Sequence, residues 1–199
     1  MNHFQYKGNE LHAEEVSLKE IVARVGSPVY VYSHATLTRH FTAFDEAFAG
    51  VPHTICYSVK ANSTQAVLRT FITLGGGADI VSGGELYRAL QAGVDPKKVV
   101  YSGVGKKDDE IEYALNTGIL MFNVESEQEL TRISEIASRM GKKAGIAIRV
   151  NPDVDPQTHP YITTGLKNAK FGITIDRAMA EYARAKTLPG IDVIGIDMH

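Results

Sequence analysis

Residues 54–85 read TICYSVKANSTQAVLRTFITLGGGADIVSGGE. A short apolar, β-prone run at 54–59 gives way to a helix-like stretch at 65–74, and a second short apolar run follows at 78–81. Strand, helix, strand in that order is one unit of a parallel α/β sheet, because parallel neighbours need a crossover between them. The same alternation continues through the rest of the chain. Further strand-like runs fall at 99–102, 120–124, 144–150 and 193–198, separated by helix-like stretches at 85–91, 108–116, 127–140 and 177–185. Near-continuous apolar strands of this kind are buried on both faces.

Working back from this unit, residues 36–48 carry a helix pattern and residues 28–32 a β-rich run. Ser17 and Glu20 are spaced as a capping box, opening a short helix that Gly26 would end. Two architectures compete for the repeating part, an open doubly wound sheet and a (β/α)8 barrel. An open sheet of the nucleotide-binding kind carries a glycine turn after its first strand. Here the first strand runs into SVKANST, which has no glycine, GVGKK at 103–107 lacks P-loop spacing, and no GxGxxG occurs. The barrel reading has six strands, two short of closure.

Composition narrows the partners. Lys and Arg total 21 against 23 acidic residues, a net charge of −2 with no basic patch beyond paired lysines, which argues against nucleic acid. No apolar run approaches the roughly 20 residues needed to cross a bilayer, so no membrane partner is expected. The polar start MNHFQYKGNELHAEE lacks a signal-peptide pattern. The single cysteine, Cys56, has no partner for a disulfide and reads as a buried structural thiol in a reduced, cytoplasmic setting. His3, His12, His34, His40 and His53 show no metal-ligand spacing, so no metal is expected.

In a barrel the chemistry collects where strands end and helices begin. Those ends fall at 57–62, 79–85, 102–105, 123–125, 149–153 and 197–199, and they hold Lys60, Asp79, Ser82, Glu85, Arg149 and His199. A lysine at the mouth of an apolar strand suits capture of an aldehyde, since burial lowers an amine pKa of about 10.4 and frees the nucleophilic form. The plainer reading of such a lysine is a surface side chain snorkelling at a strand end.

The segment Tyr57-Ser58-Val59-Lys60-Ala61-Asn62 resembles the cofactor-lysine motif of the pyridoxal-phosphate enzymes built on an alanine-racemase-like barrel, which include ornithine, arginine and diaminopimelate decarboxylases. The resemblance continues in GADIVSGGE at 77–85, YSG at 101–103, RVNP at 149–152, KFG at 170–172 and the terminal Asp197-Met198-His199, in order along the chain. KANSTQAVLRTF at 60–71 and HPYITTG at 159–165 are most similar to the diaminopimelate decarboxylase branch.

The resemblance implies that Lys60 holds pyridoxal 5'-phosphate as a Schiff base and is catalytic. It implies that His199 packs against the cofactor ring as a further catalytic group, and that Arg149 lies near the ring's phenolic oxygen. It puts Asp79 in the cofactor shell, with Glu85 beside it. The plainer readings are a frayed end for His199, a strand-end salt bridge for Arg149, and a capping box for Ser82 and Glu85. His159 reads as a histidine of an exposed lid.

The implied reaction is decarboxylation of meso-2,6-diaminoheptanedioate to L-lysine and CO2. The alternatives are another basic amino acid (arginine, ornithine or lysine) as substrate, or a non-catalytic cofactor-binding pseudoenzyme. Family members continue beyond the sixth strand, completing the barrel and adding a β-domain, and they work as homodimers. The expectation is therefore a partial barrel at 33–199, residues 1–32 contributing to a second β-rich domain, and little activity in these residues alone. Uncovered strand edges and apolar faces are expected with it.

Overall fold

The computed structural model describes residues 2–154, 157 and 171–199. Its N-terminal part is a three-stranded antiparallel sheet of β1 (Phe4–Lys7), β2 (Glu10–Ala13) and β3 (Val16–Ser17). The sequence signals no strand here, because runs of two to four residues are too short for a periodicity to register. Helix α1 (Leu18–Val25) starts where expected: the Ser17 hydroxyl accepts the Glu20 N–H at 3.1 Å. It stops at Gly26, whose φ of 82° is open to glycine.

The β-rich run at 28–32 forms no strand. Val29, Tyr30 and Tyr32 are exposed, and no strand among the described residues lies beside them to pair with this β-prone run. Helix α2 (His34–Ala47) begins two residues before the sequence pattern suggests, because Ser33 caps it by accepting the Thr36 N–H at 3.0 Å. The Glu14 carboxylate accepts from the Ser33 hydroxyl at 2.8 Å and the Ala35 N–H at 2.9 Å, tying the small sheet to the start of α2. Those two bonds hold the Glu14 carboxyl below the usual carboxylate range.

The second sheet is parallel and builds the rest. Its elements alternate as β4 (Cys56–Ser58), α3 (Gln65–Thr73), β5 (Gly77–Ile80), α4 (Gly83–Gln91), β6 (Val99–Tyr101) and α5 (Asp108–Thr117). They continue as β7 (Met121–Val124), α6 (Glu127–Arg139), β8 (Ala144–Asn151), β9 (Ile173–Thr174), α7 (Ile175–Ala185) and β10 (Ile191–Asp197). Strand order is β4-β5-β6-β7-β8-β10, sequential and without reversal, as in a barrel and unlike a doubly wound sheet. Strand β9, absent from the sequence reading, is a two-residue pairing against Val150 and Asn151 of β8.

The two faces of this sheet differ. Outward, Ile80, Phe122, Val124, Ile146 and Ile148 are fully buried with Leu86, Ile111, Leu130, Ile133 and Ile136 from the helices, forming one continuous core. Inward, toward the strand ends, stand Ser58, Asp79, Ser102, Asn123 and Arg149. A flat sheet of six strands would separate its edges by about 24 Å, at about 4.8 Å per neighbour. Instead Lys60, just beyond β4, and Asp197, at the end of β10, line the same cavity, so the sheet curls into a trough. The expected uncovered apolar face is present on β10, where Ile194 and Ile196 are exposed, with Met198 just beyond.

Candidate active site

Each of the six sequential strands of the trough delivers at least one polar side chain at its C-terminal end. Beyond β4 the chain makes a single 3-10 turn, Val59–Ala61. Val59 is fully buried, which anchors the turn and leaves Lys60 on the cavity side. The burial expected for Lys60 is not found: it is exposed at the mouth, next to an edge strand that no other strand covers among the described residues.

Asp79 sits on the inner face, on the strand next to the β4 edge. It accepts the Ser58 hydroxyl at 3.0 Å and the Ser102 hydroxyl at 2.6 Å, and Ser102 in turn accepts the Asn123 side-chain amide at 3.1 Å. Both serine protons are committed to the carboxylate, so Asp79 serves as an acceptor fixed from two neighbouring strands. Below it, burial and the charge of Asp79 push the Cys56 thiol up to about 11, so the thiol stays protonated at neutral pH. The residue is half-buried, not fully buried as expected from the sequence.

Arg149 lies across the trough wall. Its guanidinium donates to Glu125 at 2.9 Å, with the two side chains only 12% and 3% exposed, and stands over the Phe171 ring at 5.4 Å. Gly172 makes this approach possible: its φ is +83°, and a Cβ there would come within 2.9 Å of the Arg149 carbonyl. At the end of β10, burial raises the Asp197 carboxyl above the usual range, against the opposing charges of Arg149 and His199.

One cavity of about 250 Å³ is lined by Lys60, Asp79, Arg149 and His199, together with Ser102, Gly103, Glu125, Phe171 and Asp197. Glu85 is not among its lining residues. Its carboxylate turns back to accept the Val81 N–H at 2.8 Å, while the Ser82 hydroxyl accepts the Glu85 N–H at 3.2 Å, so both residues cap α4. For Arg149 the strand-end salt bridge is present and lies within the cavity wall. The sequence reading gives no role to Glu125, Ser102 or Asp197. Their signal was the inward, period-two position that each holds at a strand end. His159 and the HPYITTG segment lie outside the described residues. Among the described residues no group of three or more His, Cys, Asp or Glu is placed to hold a metal ion, and no helix is long and apolar enough to cross a membrane.

Comparison with known proteins places this arrangement. The profile of the family described as pyridoxal-dependent decarboxylase, pyridoxal binding domain, matches residues 34–199. The chain belongs to that family. Among its curated relatives, the diaminopimelate decarboxylases of Vibrio cholerae and Pseudomonas aeruginosa are each 54% identical, over 100% of this chain and 48% of their own length. A solved diaminopimelate decarboxylase from Helicobacter pylori, complexed with L-lysine, is 43% identical with a TM-score of 0.88, covering 91% of this chain and 46% of that one. The corresponding M. jannaschii structure, in co-complex with L-lysine, is 35% identical with a TM-score of 0.89, covering 98% and 47%. The chain spans about half the length of the curated relatives it matches.

The cavity's own chemistry suits the pyridoxal-dependent decarboxylase family. An aromatic aldehyde takes an amine that opens on the cavity, a flat ring a flat neighbour, and a ring oxygen a cationic donor. Lys60, His199 and Arg149 line one cavity and are of these three kinds.

Proposed function

We propose that this chain is the cofactor-holding part of a decarboxylase that converts meso-2,6-diaminoheptanedioate to L-lysine and CO2, with Lys60 carrying pyridoxal 5'-phosphate. The observation that carries the reading is the convergence of Lys60, Asp79, Arg149 and His199 on one cavity at the strand ends. The substrate follows from the relatives: those 54% identical are named diaminopimelate decarboxylase, and two solved relatives hold L-lysine.

When bound, the cofactor supplies an aldehyde that condenses with amines and a ring that accepts the electron pair left by the departing carboxylate. The chain's residues do the rest. Lys60 would hold the cofactor through its Nζ at the cavity mouth, and the same amine would donate the proton that replaces the lost carboxylate. His199, which lines the same cavity, would lie against the ring. Arg149, kept in place by Glu125, offers a permanently charged planar donor to the ring oxygen. Asp79 is held in place on the inner face by the hydroxyls of Ser58 and Ser102.

Residues 33–199 form the cofactor-binding barrel portion, and residues 1–32 belong with a second, β-rich domain. In support, β1–β3 hydrogen-bond among themselves, apart from the parallel sheet. The complete protein works as a cytoplasmic homodimer, a reading that rests on the family resemblance and on the single reduced cysteine.

The test uses the complete gene product. Borohydride reduction of the cofactor-loaded protein, followed by peptide mapping, should put the pyridoxyl label on Lys60; label on any other residue overturns the assignment. Carbon dioxide release should be fastest with diaminopimelate among diaminopimelate, lysine, ornithine and arginine. Faster release from another of these would reassign the substrate, and a labelled protein that releases none is a pseudoenzyme.

A further inference from the structure

The GVGKK segment at 103–107, which is no phosphate loop, contains a buried cation that the proposed mechanism leaves unused. The Lys106 side chain is 1% exposed. Its ammonium donates to the Gly103 carbonyl at 2.7 Å, the Asn123 carbonyl at 2.8 Å and the Glu129 carboxylate at 2.5 Å, and lies 5.6 Å from the centre of the Tyr101 ring. An ammonium has three N–H donors, and all three are spent on three separate segments: the loop after β6, strand β7 and helix α6. Burying such a charge is costly unless every donor is satisfied, so the geometry is sharply defined.

Both routes out of this clamp lead to Glu125. The second oxygen of Glu129 accepts the Glu125 N–H at 3.0 Å. Gly103, held by its carbonyl, gives its N–H to the Glu125 carboxylate at 3.0 Å. Gly103 has a φ of +91°, and a Cβ there would come within 3.3 Å of Val81, so the position favours glycine. The main chain and the carboxylate of Glu125 are thus both referred to Lys106, and the other oxygen of that carboxylate holds Arg149.

We propose that Lys106 is a positioning residue, which sets the Arg149 guanidinium in the cavity wall by fixing Glu125 from both ends. The inference rests on the cofactor-site role of Arg149 under Proposed function only for its effect on catalysis; the positioning itself can be read without cofactor.

The first measurement is the rate at which phenylglyoxal modifies Arg149 in the cofactor-free complete protein, followed by peptide mapping. Lys106→Met should raise that rate about tenfold, and Glu129→Gln, which keeps the shape of the clamp, by about threefold. The neighbouring exposed Lys107→Met should leave it unchanged. Glu129→Gln decides the matter if Lys106→Met does not fold. Unchanged Arg149 reactivity in the folded clamp variants overturns the proposal.

The second measurement is a double-mutant cycle on cofactor affinity and kcat. Lys106→Met should weaken affinity about tenfold, and the Lys106→Met/Arg149→Met double variant should be no worse than Arg149→Met alone, within about twofold. Multiplicative losses would mean that Lys106 acts elsewhere and overturn the proposal. If Arg149→Met alone binds cofactor and turns over normally, the assigned role of Arg149 fails, while the phenylglyoxal rates still decide whether Lys106 positions it.

Discussion

Two junctions in this chain are built on the same local plan and end in different uses. At the start of α4, Ser82 caps the helix, and Glu85 reaches back to the Val81 N–H at 2.8 Å. At the start of α6, Ser126 caps the helix, and Glu129 reaches back to the Glu125 N–H at 3.0 Å. The spacing, the cap and the returning carboxylate are alike. What differs is the residue one step before the cap. At α4 it is Val81, and the junction ends in the wall of the trough. At α6 it is Glu125, whose carboxylate enters the cavity and holds Arg149, and the returning Glu129 is paired with a buried lysine. A capping signature therefore locates a helix start but says nothing about which junction carries a site.

The contrast can be broken most forcefully at Glu125. Glu125→Leu leaves the Arg149 guanidinium buried without its anion and the Gly103 N–H without its acceptor, so it should cost about 3–5 kcal/mol of stability, measured by urea denaturation. A loss under 1 kcal/mol would make the two junctions equivalent. The caps should behave alike: Ser82→Ala and Ser126→Ala are each expected to cost about 1 kcal/mol in the same assay. Unequal losses would show that the clamp around Glu129 reaches into the cap itself.

The smallest effect is a pH dependence. Burial raises the Glu129 carboxyl above its ordinary 4.5, despite the opposing charge of Lys106. The folded chain then binds that proton more tightly than the unfolded chain, so its contribution to stability falls as pH rises from 4.5 through the folded value. Glu129→Gln should flatten the stability profile in that window, whereas Lys106→Met, by removing a charge that favours the carboxylate, should extend the window upward. Unfolding midpoints at closely spaced pH values would record both changes.

The parallel sheet was legible from the sequence because each strand and helix announces itself within its own few residues. Strand β4 is shorter than its apolar run, since Val59 turns into the 3-10 turn that presents Lys60. The N-terminal strands and β9 were not legible, being pairings of two to four residues that only a partner strand defines. Residues 28–32 have strand-like composition but pair with no strand among the described residues. In the site, Lys60, Asp79, Arg149 and His199 line one cavity. Glu85 departs from the cavity because the Val81 N–H at the start of its own helix takes its carboxylate. The Glu125–Arg149 and Lys106–Glu129 pairs join residues more than twenty positions apart. Strand register creates those contacts, and local periodicity carries no register.

The hydroxyl–carboxylate line through Ser58, Asp79 and Ser102 also bears on assembly of the sheet. Ser58 stands opposite Asp79 in the ladder, and the next residue, Ile80, belongs to the helix-facing core. Sliding β5 by a single position would thrust a carboxylate among Leu86 and Ile111 and turn an isoleucine toward water. Misaligned pairings are thereby penalised during folding, so the polar spine doubles as a ruler against which neighbouring strands are aligned.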